Sequence, residues 1–178
     1  MMERILLSGT GGQGVQVIAK MLAEAIAEEE KYELIYTALY SGVQRGGDST
    51  ANLIVSDKPI GAPMIIPGEI TALLAMSNAA LATYESYLAP GALLLLDRSM
   101  VTDAPSRSDV QVETVDTGAI IREAGNPRAA NLAALGALLK HKPVASPEKI
   151  LQTIEATFAG KPPQVIESNQ KALLLGMQ

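Results

Sequence analysis

Ile5-Leu6-Leu7-Ser8-Gly9-Thr10-Gly11-Gly12-Gln13-Gly14 is an apolar run of strand length that ends in a glycine-rich turn. Val15-Gln16-Val17-Ile18-Ala19-Lys20-Met21-Leu22-Ala23 follows at once, with apolar residues at helical spacing. A strand that enters a helix through glycines leaves backbone N–H groups unpaired and pointing outward at the helix start. The helix dipole adds partial positive charge there, so the turn is a natural seat for a phosphate or a carboxylate. Gly9, Thr10, Gly11, Gly12, Gln13 and Gly14 are therefore the first candidate ligand-binding residues.

The spacing Gly9-x-Gly11-x-x-Gly14 also fits the dinucleotide fingerprint. Its second half is an acidic residue at the carboxyl end of strand 2, where it would read the ribose hydroxyls. Here strand 2 spans 33–40 and ends Leu39-Tyr40-Ser41-Gly42, while Glu33 stands at its beginning, away from the ligand edge. The pattern thus argues against NAD. A second glycine pair lies in Gln44-Arg45-Gly46-Gly47, just before an extended stretch at 50–56. One reading makes Gly46-Gly47 a tight turn and Arg45 a surface ion-pair partner. In the other, the loop returns to the glycine turn, where the bidentate guanidinium of Arg45 completes an anion or partner site.

The remaining chain reads as alternating strands and helices. Strands are expected at 3–8, 71–76, 92–96 and 110–115, and helices at 13–28, 78–88, 117–124, 129–140, 147–158 and 165–177. Pro90-Gly91 reads as a turn between the helix at 78–88 and the strand at 92–96. Leu93–Leu96, apolar at every residue, indicates a strand covered on both faces of an α/β sheet. Gly136, in the middle of a small-residue helix, suggests close packing against another element. Asn131 on that helix is either a buried structural amide or a site residue. His141 reads as a solvated loop residue, Tyr84 and Tyr87 as packing residues, and Asp48 and Asp97 as structural carboxylates. Residues 1–178 are expected to form one domain, helical from about 127.

Composition narrows the chemistry. Hydrophobic residues make up 48% of the 178-residue chain but aromatics only 3%, so the core must be aliphatic. A net charge of −5, with 14 basic residues and no basic stripe, argues against nucleic acid as a partner. The N-terminal apolar run is too short for a signal peptide and no run spans a bilayer, so a cytoplasmic protein without membrane contact is expected. The chain has no cysteine and one histidine. Disulfides, thiolate-held iron–sulfur clusters, thiolate nucleophiles and His-based metal triads are thereby excluded. No acid/base pair or nucleophile stands out, so no catalytic or metal-binding residue is assigned.

The motifs Gly9-Thr10-Gly11-Gly12-Gln13-Gly14, Gln44-Arg45-Gly46-Gly47, Ser56-Asp57-Lys58-Pro59-Ile60 and Asn131-x4-Gly136, in this order, resemble the gamma subunit of 2-oxoacid:ferredoxin oxidoreductases. The resemblance covers the whole chain. It departs at Ser41-Gly42-Val43, where family members often carry Gly-Pro-Glu. It implies a three-layer α/β/α Rossmann-like domain with a largely parallel sheet. It further implies a multi-chain enzyme that decarboxylates a 2-oxoacid on thiamine diphosphate and magnesium. That enzyme passes electrons through iron–sulfur clusters to ferredoxin and forms an acyl-coenzyme A. On this reading alpha and beta chains hold the thiamine cofactor, and a small delta chain or a beta-chain insert holds clusters. The gamma chain is non-catalytic, contributing assembly and the coenzyme A side. Gly9–Gly14, Arg45, Gly46, Gly47 and Asn131 are then the residues implied for that ligand or for a partner chain. The 2-oxoglutarate type is favoured over the pyruvate and branched-chain types, and exposed partner surface would allow a homodimer of the chain alone. The alternatives are a stand-alone Rossmann-like dinucleotide-binding oxidoreductase and an anion-binding regulatory module.

Overall fold

A computed structural model of the chain describes residues 1–40 and 47–178. Six strands form one sheet: β1 (Met2–Thr10), β2 (Glu33–Tyr40), β3 (Asp48–Ser56), β4 (Ile70–Ala75), β5 (Leu88–Asp97) and β6 (Gln111–Val115). Their order is β2-β3-β1-β4-β5-β6. β1, β4, β5 and β6 pair in parallel, whereas β3 runs antiparallel to both β1 and β2. The fully apolar runs explain the centre of this order. Ile5, Leu6 and Leu7 of β1, Leu73 and Leu74 of β4, and Leu93–Leu96 of β5 are buried on alternate sides, which only a strand covered on both faces tolerates.

The two covering layers are unequal. On one face α1 (Val15–Ala27), α4 (Ala130–His141), α5 (Pro147–Thr157) and α6 (Pro163–Gly176) enclose Ile5, Leu7, Leu53, Leu74 and Leu95. α3 (Thr117–Ala124) joins this layer through α4 and α6. The other face carries α2 (Asn78–Tyr84) and a 3₁₀ turn (Glu85–Tyr87) over Leu6, Leu73, Leu94 and Leu96. Tyr84 and Tyr87 meet there edge to face, 5.6 Å between ring centroids, as packing residues.

Three expectations are corrected. The helix from 78 stops at Tyr84 and tightens into the 3₁₀ turn. Its helical spacing persists through Tyr87 and Leu88, but the backbone has already entered β5. Pro90-Gly91 is accordingly a bulge inside β5, where the register to β4 slips between Ile70 and Ala72 and Gly91 takes φ 75°. His141 ends α4 half-buried instead of lying in a loop. Other boundaries move by one or two residues: β3 begins at Asp48, and α6 begins with Pro163 in its first turn.

Gly136 behaves as its position suggests. α4 is buried along Leu132–Leu139, wedged between the sheet and α6. A Cβ at Gly136 would meet the Leu173 carbonyl oxygen at 2.1 Å, and one at Gly176 would meet the Ala133 carbonyl oxygen at 2.1 Å. Each helix thus presents a glycine to the other's backbone. Gly136→Ala should cost about 3 kcal/mol through overpacking, which for a chain of this size lowers Tm by about 6–12 °C. Calorimetric melting of the variant beside the wild type measures it.

Candidate functional site

β1 delivers the glycine turn to the carboxyl edge of the parallel strands, the edge where open α/β sheets bind ligands. Gln13 builds the turn. Its Oε1 accepts the Thr10 amide at 2.6 Å and its Nε2 donates to the Met76 carbonyl at the end of β4 at 2.7 Å. Met76 returns a bond, its amide donating to the Ser8 carbonyl at 2.8 Å. Gly9 must lack a side chain, because a Cβ there would lie 2.4 Å from Gln13 Oε1 and 3.1 Å from Met76 Cβ. Gly14 sits at φ 78°, the left-handed region that favours glycine, and Asn131 Nδ2 donates to its carbonyl at 3.3 Å. Asn131 is therefore half-buried against the turn and fixes its helix-side end.

These bonds divide the turn's amides into two sets. Those of Thr10, Gly11 and Gln13 are spent internally, on Gln13 Oε1, the Gly47 carbonyl (2.9 Å) and the Thr10 carbonyl (3.1 Å). Those of Gly12, Gly14, Val15 and Gln16 have no acceptor among the described residues. Gly12 has φ 98°, and a Cβ on it would meet nothing within 4 Å. The free amides, the start of α1 and open space at Gly12 together make a cradle for an anionic group.

The bond from the Gly11 amide to the Gly47 carbonyl sets Gly47 against the turn. Arg45 and Gly46, with 41–43, lie outside the described residues. Gln16 is a site residue that motif reading passed over. From the first turn of α1 its Nε2 donates to the Thr50 carbonyl (2.9 Å) and Ser49 Oγ (3.3 Å), and its Oε1 accepts from Tyr36 Oη (3.1 Å). A lone glutamine in an otherwise apolar helix start was the available signal.

The carboxylates along this edge are structural. Asp97, fully buried at the end of β5, accepts from Thr117 Oγ1 at 2.9 and 2.8 Å and from the Ser99 amide at 3.1 Å. Asp116 caps α3 by accepting the Ala119 amide at 2.8 Å and also takes bonds from Arg98 and Ser99. The cap bond first, then the Arg98 and Ser99 bonds, hold its carboxyl at a pKa of about 2. Among the described residues no group of three or more His, Cys, Asp or Glu could hold a metal. No helix among them is long and apolar enough to cross a membrane.

β3 also removes the geometry that a dinucleotide would need. It is inserted between β1 and β2, so the end of β2 is one strand removed from the glycine turn. Glu33, at the far end of β2, accepts the Ile60 amide at 2.9 Å.

The chain is thus a layered α/β domain that carries a glycine turn with outward-facing amides at the ligand edge of its sheet. The family described as pyruvate ferredoxin/flavodoxin oxidoreductase matches residues 4–178, and the chain belongs to it. Its relatives include the 2-oxoglutarate synthase subunit KorC of Methanocaldococcus jannaschii, 32% identical over 156 residues, which span 86% of this chain and 82% of that one. Among solved structures, the keto/oxoacid ferredoxin oxidoreductase gamma subunit of Geobacter sulfurreducens superposes with a TM-score of 0.82 at 28% identity, covering 99% of this chain and 95% of that one. A 2-oxoglutarate:ferredoxin oxidoreductase of Magnetococcus marinus, solved with 2-oxoglutarate, coenzyme A and succinyl-CoA, shares the fold with a TM-score of 0.87 at 19% identity. The match covers 98% of this chain, which corresponds to 30% of the Magnetococcus chain.

Two outcomes test the turn. Gln13→Glu keeps the acceptor for Thr10 but sets a carboxylate oxygen against the Met76 carbonyl. It should destabilise the chain by about 1–3 kcal/mol and speed amide exchange at Thr10 and Met76, read by hydrogen-exchange NMR. For Asp116, the folded pKa of about 2 lies below the ordinary carboxylate range, so its contribution is complete above about pH 4. It is lost as the pH falls toward 2. The slope of Tm against pH between 4 and 2 should therefore be shallower in Asp116→Asn than in the wild type.

Proposed function

We infer that this chain serves as the gamma subunit of a 2-oxoacid:ferredoxin oxidoreductase of the 2-oxoglutarate type, assembling with alpha and beta chains and a small delta chain. The end-to-end family match, together with likeness to a KorC subunit and to a gamma subunit of similar length, supports this reading. Thiamine diphosphate with magnesium, and the iron–sulfur path to ferredoxin, supply the decarboxylation and electron transfer of such an enzyme. With no cysteine, this chain offers no thiolate for a cluster, which supports clusters held by its partners.

The chain's own contribution is binding and orientation. The free amides of Gly12, Gly14, Val15 and Gln16 suit a phosphate of coenzyme A, held while its thiol reaches the acyl group made on the neighbouring chains. Gln13 and Asn131 keep those amides in place from the two ends of the turn. The stand-alone dinucleotide enzyme is disfavoured by the insertion of β3 between β1 and β2.

The test compares Gly12→Asp with Gly12→Asn in the reconstituted complex, using 2-oxoglutarate- and pyruvate-driven viologen reduction. Both variants bear the same strain at φ 98°, a region that Asn and Asp tolerate best among non-glycine residues. They differ only in charge. The carboxylate should raise the KM for coenzyme A at least about tenfold over the amide, about 1.4 kcal/mol. Equal KM values would remove the anion seat from the turn. Failure of the chain to co-purify with thiamine-dependent partners would overturn the subunit reading itself.

A further inference from the structure

A cleft of about 550 Å³ opens in the helical layer, behind the glycine turn and separated from it by Asn131. The first turns of α4 and α6 and the end of α5 border it. Two cations, Arg128 and Lys161, line the cleft, and neither has a side-chain partner among the described residues. No carboxylate lines it among those residues, in a chain whose net charge is −5. Phe158, the single phenylalanine of the sequence, supplies an aromatic wall.

The floor of the cleft is polar. Asn169 is 3% exposed and its Oδ1 accepts from Asn126 Nδ2 at 2.8 Å. That bond orients the amide, with Nδ2 facing away from Asn126. Asn169 Nδ2 has no acceptor among the described residues, although the side chain lines the cleft. The donor is not sealed from the cleft, so a ligand oxygen there can take the place of water on it.

From this arrangement we propose that the cleft binds a nucleoside phosphate, with its phosphate between Arg128 and Lys161, an oxygen on Asn169 Nδ2 and its base against Phe158. Unpaired cations and an N-terminal helix turn select a phosphate. The aromatic wall adds the base, and a cleft of this volume lies within the range of small-molecule sites. An extended acidic peptide would need a longer groove than this concave site provides. The inference goes beyond the subunit reading and does not depend on it.

Titration calorimetry of the full-length chain with ADP tests it, with inorganic phosphate and adenosine as half-ligand probes. ADP should bind with a Kd of about 100 μM or tighter, and each half-ligand at least about tenfold more weakly. The double variant Arg128→Ala/Lys161→Ala, both exposed positions, should weaken ADP at least about tenfold, whereas Lys20→Ala, an exposed cation that does not line the cleft, should leave it unchanged. Competition by coenzyme A would identify the ligand as the nucleotide end of a larger cofactor, and its absence a free nucleotide; either fits the proposed chemistry. No heat with ADP, or ADP binding that survives the double substitution, overturns the proposal. Loss of ADP binding in Gly12→Asp alone would move the nucleotide to the glycine turn and overturn it equally.

Discussion

Gln13 spans two elements with one side chain: its oxygen holds the turn that follows β1, and its nitrogen holds the end of β4. Two parallel strands are thereby joined at the edge where their backbone groups run out of ladder partners. Everything useful at that edge depends on this clamp. It forces Gly9 to be bare, consumes the Thr10 amide, and turns the chain so that the next unpaired amides face outward at the start of α1. An amide side chain suits the position because it offers an acceptor and a donor on neighbouring atoms of one planar group.

The parts of the fold legible in the sequence were those governed by local pattern. The run 93–96 read as a strand covered on both faces because it is apolar at every residue, and 3–8 and 71–76 read as strands from their apolar runs. Gly136 read as a close approach because nothing else explains a glycine inside a helix of alanines and leucines. The misreadings came where one pattern crosses an element boundary. Ala80, Leu81, Tyr84, Tyr87 and Leu88 keep a helical spacing while the backbone passes from helix to 3₁₀ turn to strand. Strand order was not legible at all. Nothing in 33–56 distinguishes a hairpin whose second strand enters the sheet first from a strand laid directly beside β1. That choice depends on pairing between distant segments.

The site was legible in position and not in detail. The motif marked the turn, but it gave every residue from Gly9 to Gly14 the same standing. Hydrogen bonding separates them: Gly9, Thr10, Gly11 and Gln13 shape the turn, while Gly12 and Gly14 share outward amides with Val15 and Gln16. Asn131, for which two readings stood open, proves to serve architecture at Gly14 and to border the adjoining cleft.

The glycine-to-glycine seam between α4 and α6 also bears on how the chain is made. Leu132–Leu139 form a nearly all-apolar helix whose cover includes Ala172 and Leu173 near the end of α6. On a ribosome, the covering residues emerge only after α4 and α5 are out, and at roughly 5–20 residues per second the delay is on the order of seconds. During that interval α4 is a sticky surface without its lid. Nascent chains of this protein are therefore exposed to misassociation until α6 has emerged, an interval in which a chaperone or an already folded partner subunit would have most to protect.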